Sequence, residues 1–154
     1  MVMTHSTNHH YSEAARPPSI LSMKLNHLDL HVHDVVRSAE FFGRYFGLAL
    51  VGRPGAEAAG RPEKRASSAI AIMSDGQGFV LVLQRAEPTT RYPEGFHLGF
   101  LVADIASVER VHALAVAGGA DVSDVIHNAR GTMIYFTAPE GYRVEVSCQR
   151  VSFQ

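Results

Sequence analysis

The chain has 154 residues, 46% of them apolar and 19% charged, which is enough for one folded core and too little for two independent domains. A net charge of −1 gives no electrostatic pull toward nucleic acid or an anionic membrane, and no apolar run approaches the ~20 residues of a membrane-spanning helix. The single cysteine, Cys148, excludes an intrachain disulfide and any zinc site built on several thiolates, so the composition suits a reducing cytoplasm.

Residues 1–20, MVMTHSTNHHYSEAARPPSI, are polar and lack the apolar stretch of a secretory signal; they are expected to form a disordered arm with His9 and His10 solvated. Residues 21–150 then form a single domain. Its first stretch, LNHLDLHVHD, alternates: Leu28, Leu30 and Val32 take one parity, and His27, Asp29, His31 and His33 the other. A strand over 25–32 would therefore present one apolar face and one imidazole-rich face. On this segment alone, a solvated outer face is a simpler account of the pattern than a binding site.

Asp34 can cap the following helix, 36–46, which carries Phe41, Phe42, Tyr45 and Phe46 as core and stops at Gly47. A short strand over 48–52, a Gly/Pro-rich loop through Pro62 and a hairpin of strands 68–73 and 79–85 complete the first unit. The polar segment 86–95, with Pro88 and Pro93, separates it from a second unit. That unit reads as strand 97–102, helix 105–117 closed by Gly118-Gly119, strand 121–127, and a hairpin of 133–136 and 143–147.

The two units are copies. HLDLHVHDV, from His27, lies over HLGFLVADI, from His97, and AIMSDGQGFVLVLQ, from Ala71, lies over IYFTAPEGYRVEVS, from Ile134. The predicted class is α+β: two βαβββ modules, 21–86 and 95–150, whose curved mixed sheets enclose a concave cavity with helices on the outer face. In each strand the apolar parity must face the helices. The concave parity is then His27, Asp29 and His31; Val80, Val82 and Gln84; His97, Gly99 and Leu101; and Arg143, Glu145 and Ser147. His27 and His97 are repeat mates, and Glu145 is the mate of Val82. Pairing of the modules about a pseudo-two-fold axis would bring two imidazoles and a carboxylate together, a donor set suited to Fe(II), Mn(II) or Zn(II). A cation would also offset the cost of burying Glu145 in an apolar strand.

At these residues the sequence resembles the vicinal oxygen chelate superfamily, which contains glyoxalase I, fosfomycin-resistance enzymes, extradiol dioxygenases and bleomycin-resistance proteins. The matching stretches are NHLDLHVHD with SAEFFGRYFGL, then GFHLGFLVAD, then YFTAPEGYRVEVS. The resemblance implies a metalloenzyme in which His27, His97 and Glu145 hold the divalent metal (Fe2+, Mn2+ or Zn2+). A small substrate would bind through vicinal oxygens, with His31, Gln84 and Arg143 as pocket residues, in isomerase, lyase, transferase or oxygenase chemistry. Val82 stands where glyoxalase I-like members place a fourth ligand. Tyr135 matches the tyrosine of fosfomycin-resistance enzymes, but of their phosphonate-binding lysine and arginine set only Arg130 is evident. The spacing of His127, Tyr135 and Glu145 resembles the extradiol dioxygenases, which implies His127 and Tyr135 as catalytic residues beside Fe(II). Asp124 and Tyr142 depart from that signature, and a second active-site histidine near Gly78 is absent. The alternative from another class is a metal-free protein that sequesters a small molecule, as bleomycin-resistance proteins do. Short members commonly form homodimers, and the resemblance leaves two pairings open: the modules meet within one chain, or they are exchanged so that His27 of one chain meets His97 and Glu145 of another.

Overall fold

The computed structural model describes residues 24–51 and 69–150. The predicted arm, the loop through Pro62, Gly52 and the start of the first hairpin at Ser68 lie outside them. The first module runs β1 (His27–Val32), α1 (Val35–Phe46), β2 (Ala49–Leu50), β3 (Ile70–Ser74) and β4 (Val80–Arg85). The second repeats it as β5 (His97–Leu101), α2 (Ile105–Ala117), β6 (Ile126–Asn128), β7 (Gly131–Thr137) and β8 (Arg143–Gln149).

Each module makes a four-stranded sheet in the same order, β1-β4-β3-β2 and β5-β8-β7-β6. The helix carries the chain to the far edge, and an antiparallel meander returns until its last strand lies parallel to the first. Both sheets are mixed and open, so β1 and β5 are edge strands. No helix among the described residues is long and apolar enough to cross a membrane.

Local signals set the helix ends. Asp34 Oδ1 accepts the Arg37 N–H at 3.0 Å, and Gly47 ends α1 at φ 69°, a left-handed conformation that costs a glycine nothing. Asp104 Oδ1 caps α2 by accepting from both Ser107 N and Ser107 Oγ at 2.7 Å. Those two bonds hold the Asp104 carboxyl below its ordinary value.

One parity of each sheet is buried: Leu30, Val32, Leu81 and Leu83 in the first, Ile134, Phe136, Val144 and Val146 in the second. Phe42 of α1 is fully enclosed, worth about 2–3 kcal/mol of apolar burial. The aromatic ridge of α1 also reaches the second sheet, with Phe41 and Tyr45 at 5.9 and 5.3 Å from Phe136 and Phe46 at 4.7 Å from Phe100. The modules therefore share one core.

The predicted strand 121–127 is shorter and displaced. Val122 bridges Phe136 and Ile126 pairs with Met133, so one strand advances four residues while its partner advances three. The extra residue is a β-bulge, and Ser123 Oγ accepts the Tyr135 N–H at 3.0 Å where the ladder is broken. A one-residue slip turns every later side chain to the opposite face.

Candidate functional site

The second sheet carries most of the chemistry on its concave face, in three rows fixed by the ladders. His97 lies beside Arg143 and Thr137; Gly99 beside Glu145 and Tyr135; Leu101 beside Ser147 and Met133. The first sheet is different. His27, Asp29 and His31 stand on edge strand β1, but their neighbours are Val80, Val82 and Gln84, so the floor beyond the edge is mostly apolar.

Glu145 is only 7% exposed. Its Oε2 accepts the Tyr135 hydroxyl at 2.7 Å, and it forms no ion pair among the described residues. Burial first, then the bond to Glu145, lifts the Tyr135 phenol above its ordinary value, while Arg130 acts in the opposite sense. Tyr135 is thus a neutral hydrogen-bond donor at physiological pH. Gly99, next to Glu145 across the ladder, has open space where a Cβ would stand, so the carboxylate's side of the sheet is uncovered between His97 and Leu101.

The histidines are prepared in the same way. His97 Nδ1 lies 3.1 Å from the Gly95 carbonyl, and His27 Nδ1 lies 2.8 Å from Asn26 Oδ1. Both acceptors require the proton on Nδ1, which leaves Nε2 of a neutral ring with its lone pair free. The donor set therefore suits a divalent metal: two imidazoles with free Nε2 atoms and a buried carboxylate that lacks a cation among the described residues. Within one chain these groups are not gathered, because no three His, Cys, Asp or Glu side chains among the described residues could share an ion.

Two cavities flank His97. One, of about 600 Å³, is lined by Tyr92, His97, Arg130, Tyr135 and Arg143 among others. The other, of about 550 Å³, is apolar and runs along β5 past Leu25, Leu28, Phe79 and Leu101. Arg143 caps the first, with its guanidinium carbon 5.8 Å from the Tyr135 ring centroid.

The remaining predicted residues lie elsewhere. The Gln84 amide donates to the Asp29 carboxylate beside His31. The backbone N–H of His31 donates to Tyr92 Oη at 2.9 Å, and that hydroxyl donates to the His31 carbonyl at 3.0 Å. His127 does not share a face with Tyr135: it pairs with Thr132 and holds Thr132 Oγ1 at 2.9 Å, on the helix side of the sheet. The bulge before it is the cause. Tyr92 and Arg130 lie in connecting segments where no periodicity assigns a face, so parity does not place either of them in the cavity. The one available signal was an aromatic residue inside an otherwise polar linker.

Residues 24–146 match the family model described as the Glyoxalase/Bleomycin resistance protein/Dioxygenase superfamily, and the chain belongs to that family. It is similar to a solved structure described as a possible glyoxalase from Bacillus cereus, at 33% identity and a TM-score of 0.66, over 82% of this chain and 100% of that one. Lactoylglutathione lyase from Agrobacterium tumefaciens shares the fold at 22% identity and a TM-score of 0.58, covering 86% of this chain and 95% of its own. A genomically encoded fosfomycin resistance protein from Listeria monocytogenes does so at 14% and 0.65, over 85% and 97%. No curated protein matches the chain.

Proposed function

We propose that this protein is a divalent-metal-dependent enzyme that binds a small substrate through vicinal oxygens at a site formed by His27, His97 and Glu145. The observation that carries the reading is Glu145: a carboxylate 7% exposed, given one neutral partner and no cation among the described residues, beside an imidazole with a free Nε2. Leaving such a group without a counter-charge is costly, and a bound cation removes the cost. When bound, the metal would act as a Lewis acid toward the substrate oxygens. Membership in a family whose solved structures include a lyase and a resistance protein supports an enzymatic role without choosing the reaction.

The chain's own residues supply the rest. The three histidine and carboxylate groups bind, and Gly99 keeps the approach to them open. Tyr135 keeps its proton and donates it in a hydrogen bond to Glu145 Oε2, which fixes the orientation of the carboxylate from the cavity side. Arg143 bounds the same cavity. Since one chain does not gather the ligands, the proposed site is completed by a second copy, with His27 arriving from the partner of a homodimer. His127 has no part in it.

Metal analysis tests the reading. Protein purified without a metal-affinity column is expected to carry about one divalent ion per chain, and His97→Ala or Glu145→Gln to abolish it. Negligible metal in the wild-type chain, unchanged by either substitution, would leave a metal-free small-molecule-binding protein instead.

A further inference from the structure

Resting on that reading of where the substrate binds, we propose that the substrate carries an additional oxyanion, carboxylate or phosphate, and that Arg130 and Arg143 receive it in the cavity beside His97.

The two arginines converge on one side chain. Arg130 Nη2 lies 3.3 Å from Tyr135 Oη, while Arg143 stacks over the same ring. Neither forms an ion pair among the described residues. The other contact of Arg130 Nη2 is the Met133 sulfur at 3.6 Å, a weak neutral acceptor. Among the described residues, a phenol and a thioether are the partners these two guanidinium groups have where they face the cavity. A planar fork of donors matches a carboxylate or phosphate in paired hydrogen bonds, and an oxyanion would replace those weak partners.

The other charged groups around the cavity do not cancel this. Arg91 adds a third positive charge, with its Nη1 committed to the Pro88 and Thr90 carbonyls at 2.7 and 2.8 Å. Glu140 is turned to the His33 N–H and the Ser38 hydroxyl, each at 3.2 Å, and Glu94 is the remaining carboxylate of the lining. At the end nearest Tyr135, the Glu145 carboxylate is bonded to the tyrosine hydroxyl, and the two guanidinium groups against that one carboxylate leave a net positive charge. Arg130 is held there by its turn, where its N–H donates to Asn128 Oδ1 at 2.8 Å and its carbonyl accepts from Arg150 N at 3.0 Å. A cavity of about 600 Å³ has room for a small anion's full substrate and not for a polymer.

The test is calorimetric titration of the full chain, as purified, with inorganic phosphate and separately with malonate, at ionic strength fixed by chloride. Saturable binding of at least one anion is expected, weakened about tenfold by Arg130→Gln and by Arg143→Gln. Arg110→Gln should leave it unchanged, since that arginine lies 3.9 Å from Asp104 on the surface. Preference for phosphate or for malonate assigns the oxyanion. Glu145→Gln separates the two ideas: anion binding that survives in it, without metal, supports the arginine site by itself. Anion binding lost in Glu145→Gln but kept in both arginine variants places the anion on the metal and overturns the proposal, as does the absence of saturable binding to the wild-type chain. In that last case a chain that still holds its metal leaves the metal-centre reading standing.

Discussion

Tyr142 is 4% exposed, packed edge-on against Tyr92 at 4.7 Å and Phe96 at 5.6 Å, and its hydroxyl has no hydrogen-bond partner among the described residues. Desolvation, with the negative charges of Glu140 and Tyr92 behind it, pushes this phenol far above its ordinary value of 10.0. Tyr142→Phe removes an orphaned donor and keeps the ring, so stability near neutral pH is expected to be unchanged or raised by about 1 kcal/mol. The sign with pH follows from the upward shift. The folded chain retains a proton that the unfolded chain releases, so this contribution is full below pH 10 and is lost as pH rises above it. Urea unfolding from about pH 7 to about pH 11 should show the variant losing less stability than the wild type. A variant markedly weaker at neutral pH would mean that the hydroxyl has a partner. Tyr135, seven positions earlier in the same stretch of sequence, has the Glu145 carboxylate for its hydroxyl and a cavity in front of it. Composition could not tell these two tyrosines apart, but strand parity could: Tyr135 takes the parity of Met133 and Thr137 in its hairpin, and Tyr142 sits in the turn.

The helices were legible because their caps and their apolar period agree, and α2 falls on Ile105–Ala117 as its pattern indicates. The faces of β1, β5 and β8 were legible because each alternates, which is why His27, His97 and Glu145 could be assigned to the concave side. The region around β6 was not, since a bulge leaves no trace in an alternating pattern. Without the extra residue, His127 would have taken the parity of Tyr135. Gly131, which opens β7, marks how tightly this corner is built. Its φ is 147°, and a Cβ there would stand 2.2 Å from the Cys148 carbonyl oxygen and 2.9 Å from Gln149 Cα, both backbone atoms of β8. Gly131→Ala must push the two strands apart and is expected to cost about 3 kcal/mol or more, read from the urea midpoint. Gly99→Ala serves as its contrast. There a Cβ meets nothing within 4 Å, so the loss should stay below about 1 kcal/mol, although the methyl group would stand beside Glu145. Equal losses at the two glycines would show that the contact with β8 does not set the cost.

The two modules have one strand order and one helix position, yet their concave faces are unequal. The first brings imidazoles on an edge strand over a largely apolar floor, and the second brings an imidazole, a buried carboxylate, a phenol and two arginines. Among the described residues, a single chain does not gather three possible metal ligands, so the proposed site draws on both modules of two copies. Leu25 and Leu101, 77% and 69% exposed, line the apolar groove next to His97, which is where a second copy could bury area while delivering His27. That arrangement makes a prediction no single-chain site can meet. Chains carrying His27→Ala and chains carrying His97→Ala are each expected to bind no metal. Refolded together, they pair at random, and about half of the dimers are mixed. In a mixed dimer, His27 of the second variant meets His97 and Glu145 of the first, so one of its two sites is whole. Metal content should therefore return to about a quarter of the wild-type value. Recovery near that level requires ligands from two chains, and none at all, with dimers demonstrably exchanged, would confine the three groups to one.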